Sequence, residues 1–446
     1  MLHTDNLKLS RYALFIPKDD GTYVVSNTLN GAVVSIDNAD YIENIAEIIE
    51  SDKHNKLVSY NENCEMHKFF YDNKIFIDPE VDEYQLALYS YEKQIVQDNA
   101  LNLTLIVSRQ CNFRCVYCYE EFKDEHMKAE TFEGMLNYLK KALKEKLHRA
   151  VSISLFGGEP FLPFDSLLAF LKDAKEICDS FEVPITVGAT TNFSLVTPDR
   201  FDLLAEVNCK FYQVTVDGLS VMHDKRRPNA DGSGSYNSVI SNLLAAKRSA
   251  HDFKIVIRTN FDEEITAHAE SFYQYIKQEF DDPRFKIYFI NTKKMGGKND
   301  DDIDVLEGAD IANAFTHLAK IVSDLGLQNG MSETFTLPFQ GVCYACKHNS
   351  FVIDYDGTVR KCTIDLDNKM NNVGKIEIDG TFNLNHAKHS RWVCRHSQFS
   401  EKCKECKVFP ICFGGRCALS KVHGATPSCN QSSNQQDIET MLTYFG

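Results

Sequence analysis

The chain has 446 residues, 43% of them hydrophobic and 25% charged, with a formal net charge of −15. That length exceeds one compact core, so two or three domains are expected. The acidic balance repels phosphate backbones and argues against nucleic acid as a partner. The N-terminus, Met1-Leu2-His3-Thr4-Asp5, lacks the basic and apolar stretches of a signal peptide, and no uncharged apolar run reaches the ~18 residues of a membrane span. A cytoplasmic protein without a membrane partner is therefore expected. Its 15 cysteines then point to metal or redox chemistry rather than disulfides.

Residues 1–90 read as a small module. Arg11 to Phe15 and Tyr23 to Val25 are strand-like and joined by turn chemistry from Pro17 to Thr22. Ala39 to Ile49 has helical periodicity. Phe70-Tyr71 and Ile75 to Ile77 flank Asp72-Asn73-Lys74, which suggests a second hairpin. Asp82 to Asp98 reads as a linker helix. From residue 91 to 330 strands alternate with helices. The strand candidates are Leu103–Val107, Val151–Phe156, Ile185–Ala189, Phe211–Val216, Phe253–Ile257 and Phe285–Ile290, with helices such as Thr131–Leu147 and Phe164–Cys178 between them. Six such units predict an α/β fold with a parallel sheet, a partial (β/α)6 barrel of the TIM type whose chemistry lies at the C-terminal strand ends. Residues 331–446 read as a third, cysteine-rich domain, opening with a hairpin of Phe351–Tyr355 and Val359–Lys361 around Asp356-Gly357.

After the first barrel strand comes Cys111-x3-Cys115-x2-Cys118. Three thiolates at this spacing hold three irons of a [4Fe–4S] cluster and leave the fourth iron open. A zinc site would need a fourth ligand close by. The motif resembles the signature of the radical S-adenosylmethionine (radical SAM) superfamily. That resemblance implies SAM on the open iron, a 5′-deoxyadenosyl radical and hydrogen abstraction from a substrate. It also implies an aromatic contact from Tyr117 to adenine. Gly157-Gly158-Glu159-Pro160 after the second strand resembles the family's GGEP segment, with Gly158 and Glu159 at the methionine amine. Thr215-Val216-Asp217-Gly218 after the fourth strand and Arg227 resemble the segment that holds the ribose and carboxylate of SAM. Arg258 and Asn260, after the fifth strand, are further candidates for cofactor binding. His223 reads as structural.

The C-terminal block runs Cys343-x2-Cys346-x10-Gly357-x4-Cys362, then Cys403-x2-Cys406-x5-Cys412-x4-Cys417, then Cys429. It resembles the SPASM domain of peptide-modifying radical SAM enzymes, with one residue more than usual before Cys417. The resemblance implies two auxiliary [4Fe–4S] clusters, three in all. The first would use Cys362 and Cys417 with Cys343, Cys346 or both; the second would use Cys403, Cys406, Cys412 and Cys429. Cys178 and Cys209 read as core thiols. The front module resembles the PqqD-like winged helix that binds the leader of a precursor peptide by strand addition.

Together these resemblances imply a maturase of ribosomally made peptides that forms a thioether or carbon–carbon crosslink. Its partners would be a precursor peptide with a leader and a reductant such as flavodoxin or ferredoxin. The main alternative is an anaerobic sulfatase-maturating enzyme. Against it, that family has Asp after the cysteine equivalent to Cys362, where this chain has Thr363, and it lacks the front module. An RNA-modifying enzyme is disfavoured by charge. A non-enzymatic peptide-binding scaffold would differ by making no deoxyadenosine.

Overall fold

The computed structural model describes residues 6–53, 57–96, 99–330, 337–338, 340, 342–394, 399–415, 417–422 and 431–446. Packing divides the chain into two compact units. One comprises Met1–Ile95, Met331–Cys343 and Arg395–Gly446; the other comprises Val96–Gly330 and Tyr344–Cys394. Residues 331–343 and 395–446 fall in the first unit and residues 344–394 in the second.

In the first unit, β1 (Asn6–Leu9) lies between two short strands, β5 (Val58–Ser59) and β6 (Phe76–Ile77). The strands β2 (Ala13–Pro17), β3 (Tyr23–Asn27) and β4 (Ala32–Ile36) form an antiparallel meander. The first hairpin expectation holds: Pro17 pairs with Tyr23, and Asp20 caps the turn by accepting from Thr22 N. The second does not. Phe70 and Tyr71 belong to helix α2 (Glu65–Asp72), not to a strand. Met66 and Phe70, four residues apart, are both buried in an apolar cluster with Ile45 of helix α1 (Ala39–Lys53). That i,i+4 pairing overrides the β propensity of the aromatics. Lys74, in the left-handed region at φ 59°, ends the segment, and only Phe76–Ile77 pairs as strand. Helix α3 (Glu83–Val96) spans most of the stretch read as a linker helix. Its Ala87, Tyr91 and Ile95 are buried against Val408, Phe409, Phe413, Ile438 and Leu442. Burial of one such side chain stabilises by about 1.5–3 kcal/mol.

The second unit is built on one sheet. Its parallel strands are β7 (Ala100–Ser108), β8 (Ala150–Gly157), β9 (Ile185–Thr191), β10 (Cys209–Thr215), β11 (Lys254–Phe261) and β12 (Phe285–Asn291). They neighbour one another in sequence order, and the sheet does not close into a barrel. On the far side of β7 lies β13 (Ser350–Ile353), also parallel, followed by the antiparallel β14 (Thr358–Arg360), β15 (Asn372–Ile376) and β16 (Phe382–Leu384). Helix α4 (Ala129–Lys144) buries Phe132, Met135, Leu139 and Leu143, and α5 (Phe164–Ser180) buries Leu167, Phe170, Leu171 and Ala174. That is the three-to-four spacing of an apolar helix face. Alternate strand residues such as Leu105, Ile153, Val187, Val214 and Ile257 are buried. Their neighbours Thr104, Ser154, Thr190, Gln213 and Thr215 retain exposure. The sheet therefore has one apolar face and one open polar face. Arg258 and Asn260, expected beyond the fifth strand, lie inside β11, which runs on to Phe261. The β13–β14 hairpin is as expected, with Ile353 opposite Val359 and Gly357 at φ 86° in the turn. Cys178 and Cys209 are buried, as expected of core thiols. No helix among the described residues is long and apolar enough to cross a membrane.

Candidate active site and cysteine loops

The cysteine loop hangs from the C-terminal end of β7 and is pressed against the glycines that end β8. A side-chain carbon on Gly157 would lie 2.2 Å from Ser108 O, and one on Gly158 would lie 2.4 Å from Gln110 O and 3.1 Å from Cys111 Cβ. Only glycine permits this approach. Two bonds then close the contact, Gly158 N to Ser108 O at 2.9 Å and Glu159 N to Gln110 O at 3.0 Å. On its other side the loop is pinned by Arg114 N to Pro228 O (2.8 Å) and Val116 N to Arg226 O (2.9 Å). Cys111 is buried, and Cys115 and Cys118 are half-buried. Cys111 Sγ accepts from Phe113 N at 3.3 Å. Burial raises all three thiols, Cys118 to about 12. As bare thiols they are neutral, and only bound cations would hold them as thiolates.

Glu159 is fully buried and its carboxylate is already engaged. It accepts from Thr191 Oγ1 (2.8 and 3.0 Å), Asn192 N (2.8 Å) and Phe161 N (3.1 Å). Burial, partly offset by these donors, pushes its carboxyl up to about 7. The residue so held, Asn192, donates from Nδ2 to Asn112 Oδ1 at 2.8 Å and approaches Cys111 Sγ at 3.9 Å. Sequence reading passed over Asn192, although it ends a barrel strand as the other candidates do.

Tyr117 and Arg227 are brought together. The Tyr117 hydroxyl donates to Asp217 Oδ2 at 2.5 Å and accepts from Arg227 Nη1 at 2.7 Å. Asp217 is fully buried, accepts from Asn260 N at 2.8 Å and faces Arg226 Nε at 3.8 Å. Arg226 in turn pairs with Asp262. Arg227 is buried beside Cys115, and its Nε–H has no acceptor among the described residues. A buried guanidinium N–H without an acceptor is costly alone; an anionic group such as the carboxylate of SAM fits it. Thr215 ends β10 opposite Arg258, whose Nε donates to Asn260 Oδ1 at 3.0 Å.

In the same unit, Cys346 is fully buried and Cys362 nearly so. Their segments are strapped together twice. Tyr344 Oη meets Thr363 Oγ1 at 2.9 Å and accepts from Thr363 N at 3.0 Å. The buried Lys361 Nζ donates to Lys347 O (2.7 Å) and Ser350 O (2.6 Å). Asn371 accepts from Lys361 N and Cys362 N, both at 2.9 Å. Ile364 N approaches Cys362 Sγ at 3.5 Å. A cavity of about 520 Å³ opens between Cys118, Tyr119 and Glu120 on one side and Ile364, Asp365 and Leu366 on the other. Arg109, just before the cysteine loop, pairs with Asp354 and with Asp367 (2.9 Å) and joins the two walls.

In the first unit Cys403, Cys406 and Cys412 are buried in the apolar cluster of Val408, Phe409 and Phe413. Cys412 Sγ accepts from Gly415 N at 3.3 Å. Cys343 is half-buried and Cys417 exposed; Cys429 lies outside the described residues. Among the described residues no three His, Cys, Asp or Glu side chains converge as a single-ion site.

Residues 105–272 match the Radical SAM superfamily. The chain is 25% identical over 281 residues to the radical SAM cyclopropyl synthase TigE of Paramaledivibacter caminithermalis, a match spanning 56% of each chain. It is 23% identical over 329 residues to a cysteine-type anaerobic sulfatase-maturating enzyme of Clostridium novyi, covering 69% of this chain and 85% of that one. Among solved structures, anSMEcpe with bound AdoMet and the Cp18Cys peptide superposes with a TM-score of 0.57 at 21% identity, over 77% of this chain and 96% of that one. Streptococcus suis SuiB bound to its precursor peptide SuiA superposes with a TM-score of 0.55 at 14% identity, over 96% and 100%. These likenesses establish the fold.

Proposed function

Because this chain carries a radical SAM domain and is an enzyme of that superfamily, we propose that it matures a ribosomally made precursor peptide by forming a thioether or carbon–carbon crosslink. The observation that carries this reading is the shared cavity: Cys118 and the turn behind Cys362 face one space of about 520 Å³, large enough for a substrate side chain. The peptide as substrate is carried over from SuiB and anSMEcpe, both solved with peptides bound.

Cys111, Cys115 and Cys118 would hold a [4Fe–4S] cluster that, with SAM, would supply radical abstraction of hydrogen from carbon. The chain's own residues bind and orient. Arg227 offers its Nε–H to the SAM carboxylate, and Asp217 together with Arg227 fixes the Tyr117 ring for adenine. Thr215 and Arg258 face the open side of the sheet at the same level and would contact the ribose and carboxylate of SAM. Gly158 brings the β8 end against Cys111. Glu159 braces Asn192 and keeps acceptor capacity for the methionine amine, since three donors do not fill its two oxygens.

Auxiliary clusters would use Cys346 and Cys362 with Cys343 and Cys417, and Cys403, Cys406 and Cys412 with Cys429. Burial and double strapping of Cys346 to the Cys362 turn support Cys346 as a ligand. Residues 1–90 would bind the leader, and a flavodoxin or ferredoxin would supply electrons. The similar sulfatase-maturating enzymes support a second reading, oxidation of a cysteine or serine in a protein substrate. At the position where that family has its Asp, Thr363 is bonded to Tyr344.

The test is anaerobic reconstitution with SAM and dithionite. The Cys111→Ala/Cys115→Ala/Cys118→Ala variant should lose roughly four irons and all deoxyadenosine formation; retained SAM cleavage would sink the reading. With its precursor the wild type should yield a product two hydrogens lighter that keeps its sulfur. A product that carries a new aldehyde, trapped by a hydrazine probe, would favour the sulfatase-type reading.

A further inference from the structure

The open face of the β7–β12 sheet has an unusual charge. The chain as a whole has 63 acidic and 48 basic residues. Yet the alternate positions that keep exposure on these strands, from Asn102 and Thr104 through Ser154, Thr190, Gln213 and Thr215, include no Asp or Glu. They do include three cations, Lys254 and Arg258 on β11 and Lys286 on β12. Among the described residues none of the three is paired with a carboxylate. The carboxylates near the sheet ends are committed elsewhere. Asp252 holds Lys210 at 2.8 Å, Asp282 holds Arg284 at 2.7 Å, and Asp217 and Glu159 are engaged in the bonds described above.

The register sets the three cations in order. Lys286 lies opposite Val256, midway between Lys254 and Arg258, and Arg258 lies opposite Thr215. Steps of two strand residues make a track with a rise of about 6.6 Å per cation, climbing toward the strand ends that carry the cysteine loop. An extended peptide repeats its side chains on one face with that same rise. At the lower end Phe211, 47% exposed, lies opposite Lys254, its ring 5.9 Å from the ammonium. It offers an apolar rest beside the charge.

We propose that this face binds the segment of the substrate peptide that carries carboxylate side chains, with Lys254 and Lys286 each taking an Asp or Glu. The proposal rests on the maturase reading for the peptide nature of the ligand and adds its chemical class. Half-buried ammonium groups without a protein carboxylate gain more from a carboxylate ligand than exposed ones do, because water screens them less. Arg258, at the top of the track, is the residue assigned above to SAM, so the two lysines define the peptide's share.

The experiment uses the full chain without SAM and two acetylated hexapeptides bearing a neutral dye, one alternating Glu and Ala, the other Gln and Ala. Fluorescence anisotropy at low salt should show the Glu peptide binding about tenfold more tightly. The Lys254→Gln/Lys286→Gln variant should bind the two peptides within about twofold of each other, and Lys254→Arg/Lys286→Arg should keep the preference. Melting temperatures check that both variants fold. Equal binding of the two peptides by the wild type, or an undiminished preference in the Gln variant, would overturn the proposal. So would displacement of the Glu peptide by a thymidine hexanucleotide at lower concentration than by unlabelled Glu peptide, which would make the track a phosphate site. The deoxyadenosine assay is independent of these measurements, so failure of the radical reading and failure of the acidic-peptide assignment are told apart.

Discussion

Cys111, Cys115 and Cys118 hang from a strand of nine residues, whereas Cys403 and Cys412 sit in helices of four residues each, Glu401–Lys404 and Phe409–Cys412. The first loop is positioned by backbone bonds to neighbouring strand ends and by charged groups such as Arg227 and Asp217. The second set is embedded among Val408, Phe409, Ile411 and Phe413. Helices of one turn have no stability of their own, because nucleation is unfavourable and propagation never begins. The first loop therefore has a scaffold that stands without metal. The second set depends on packing and on whatever its thiols bind.

Stripping iron with a chelator gives the largest expected contrast. With the proposed cluster on Cys403, Cys406 and Cys412, amide exchange should accelerate roughly a thousandfold or more over residues 399–415, because metal binding would there be folding free energy. The amides of β7 to β12 should keep their protection. Parallel loss of protection in the strands would break the comparison.

The wiring around the first loop is tested by Arg109→Met. It leaves Asp354 buried with Arg360 as its remaining cation, at 2.8 Å. Removing one partner of a buried ion pair costs about 3–5 kcal/mol. Urea denaturation should show a loss of that order, and a loss below about 1 kcal/mol would mean that the loop does not lean on this pair.

The smallest effect concerns His223, which is fully buried and accepts from Asp217 N at 3.3 Å. Burial, with Arg227 nearby, lowers its pKa from 6.5 to about 3. The folded state therefore favours neutral imidazole. The resulting stability is fully present above pH 6.5 and lost as pH falls toward 3, at up to about 1.4 kcal/mol per pH unit. His223→Asn should flatten the decline in stability between pH 6.5 and 5. An unchanged slope would remove His223 from the acid response.

The parts of the site legible in the sequence are those whose spacing is itself the chemistry. Cys111-x3-Cys115-x2-Cys118 lies within one loop, and the glycine of the β13–β14 turn announces its own backbone angle. Phe70 and Tyr71 misled because two aromatics before a turn suit a strand as well as a helix, and burial against Ile45 decided between them. Arg109 was invisible because its partner, Asp354, is 245 residues away. Glu159 was legible through its motif; its three protein donors, from Thr191, Asn192 and Phe161, are visible only in the folded chain.

The sequence by itself determined the alternation of strands and helices, the cysteine spacings and the family they resemble, because these are local and periodic. The tertiary structure alone decided which polar groups are already satisfied and which, like Arg227 Nε, find no acceptor among the described residues. It alone decided how residues 331–446 divide between two units, and that Lys254, Lys286 and Arg258 line one face with no carboxylate paired to them among the described residues. Strand register and burial link residues far apart in the chain, and no local pattern encodes that linkage.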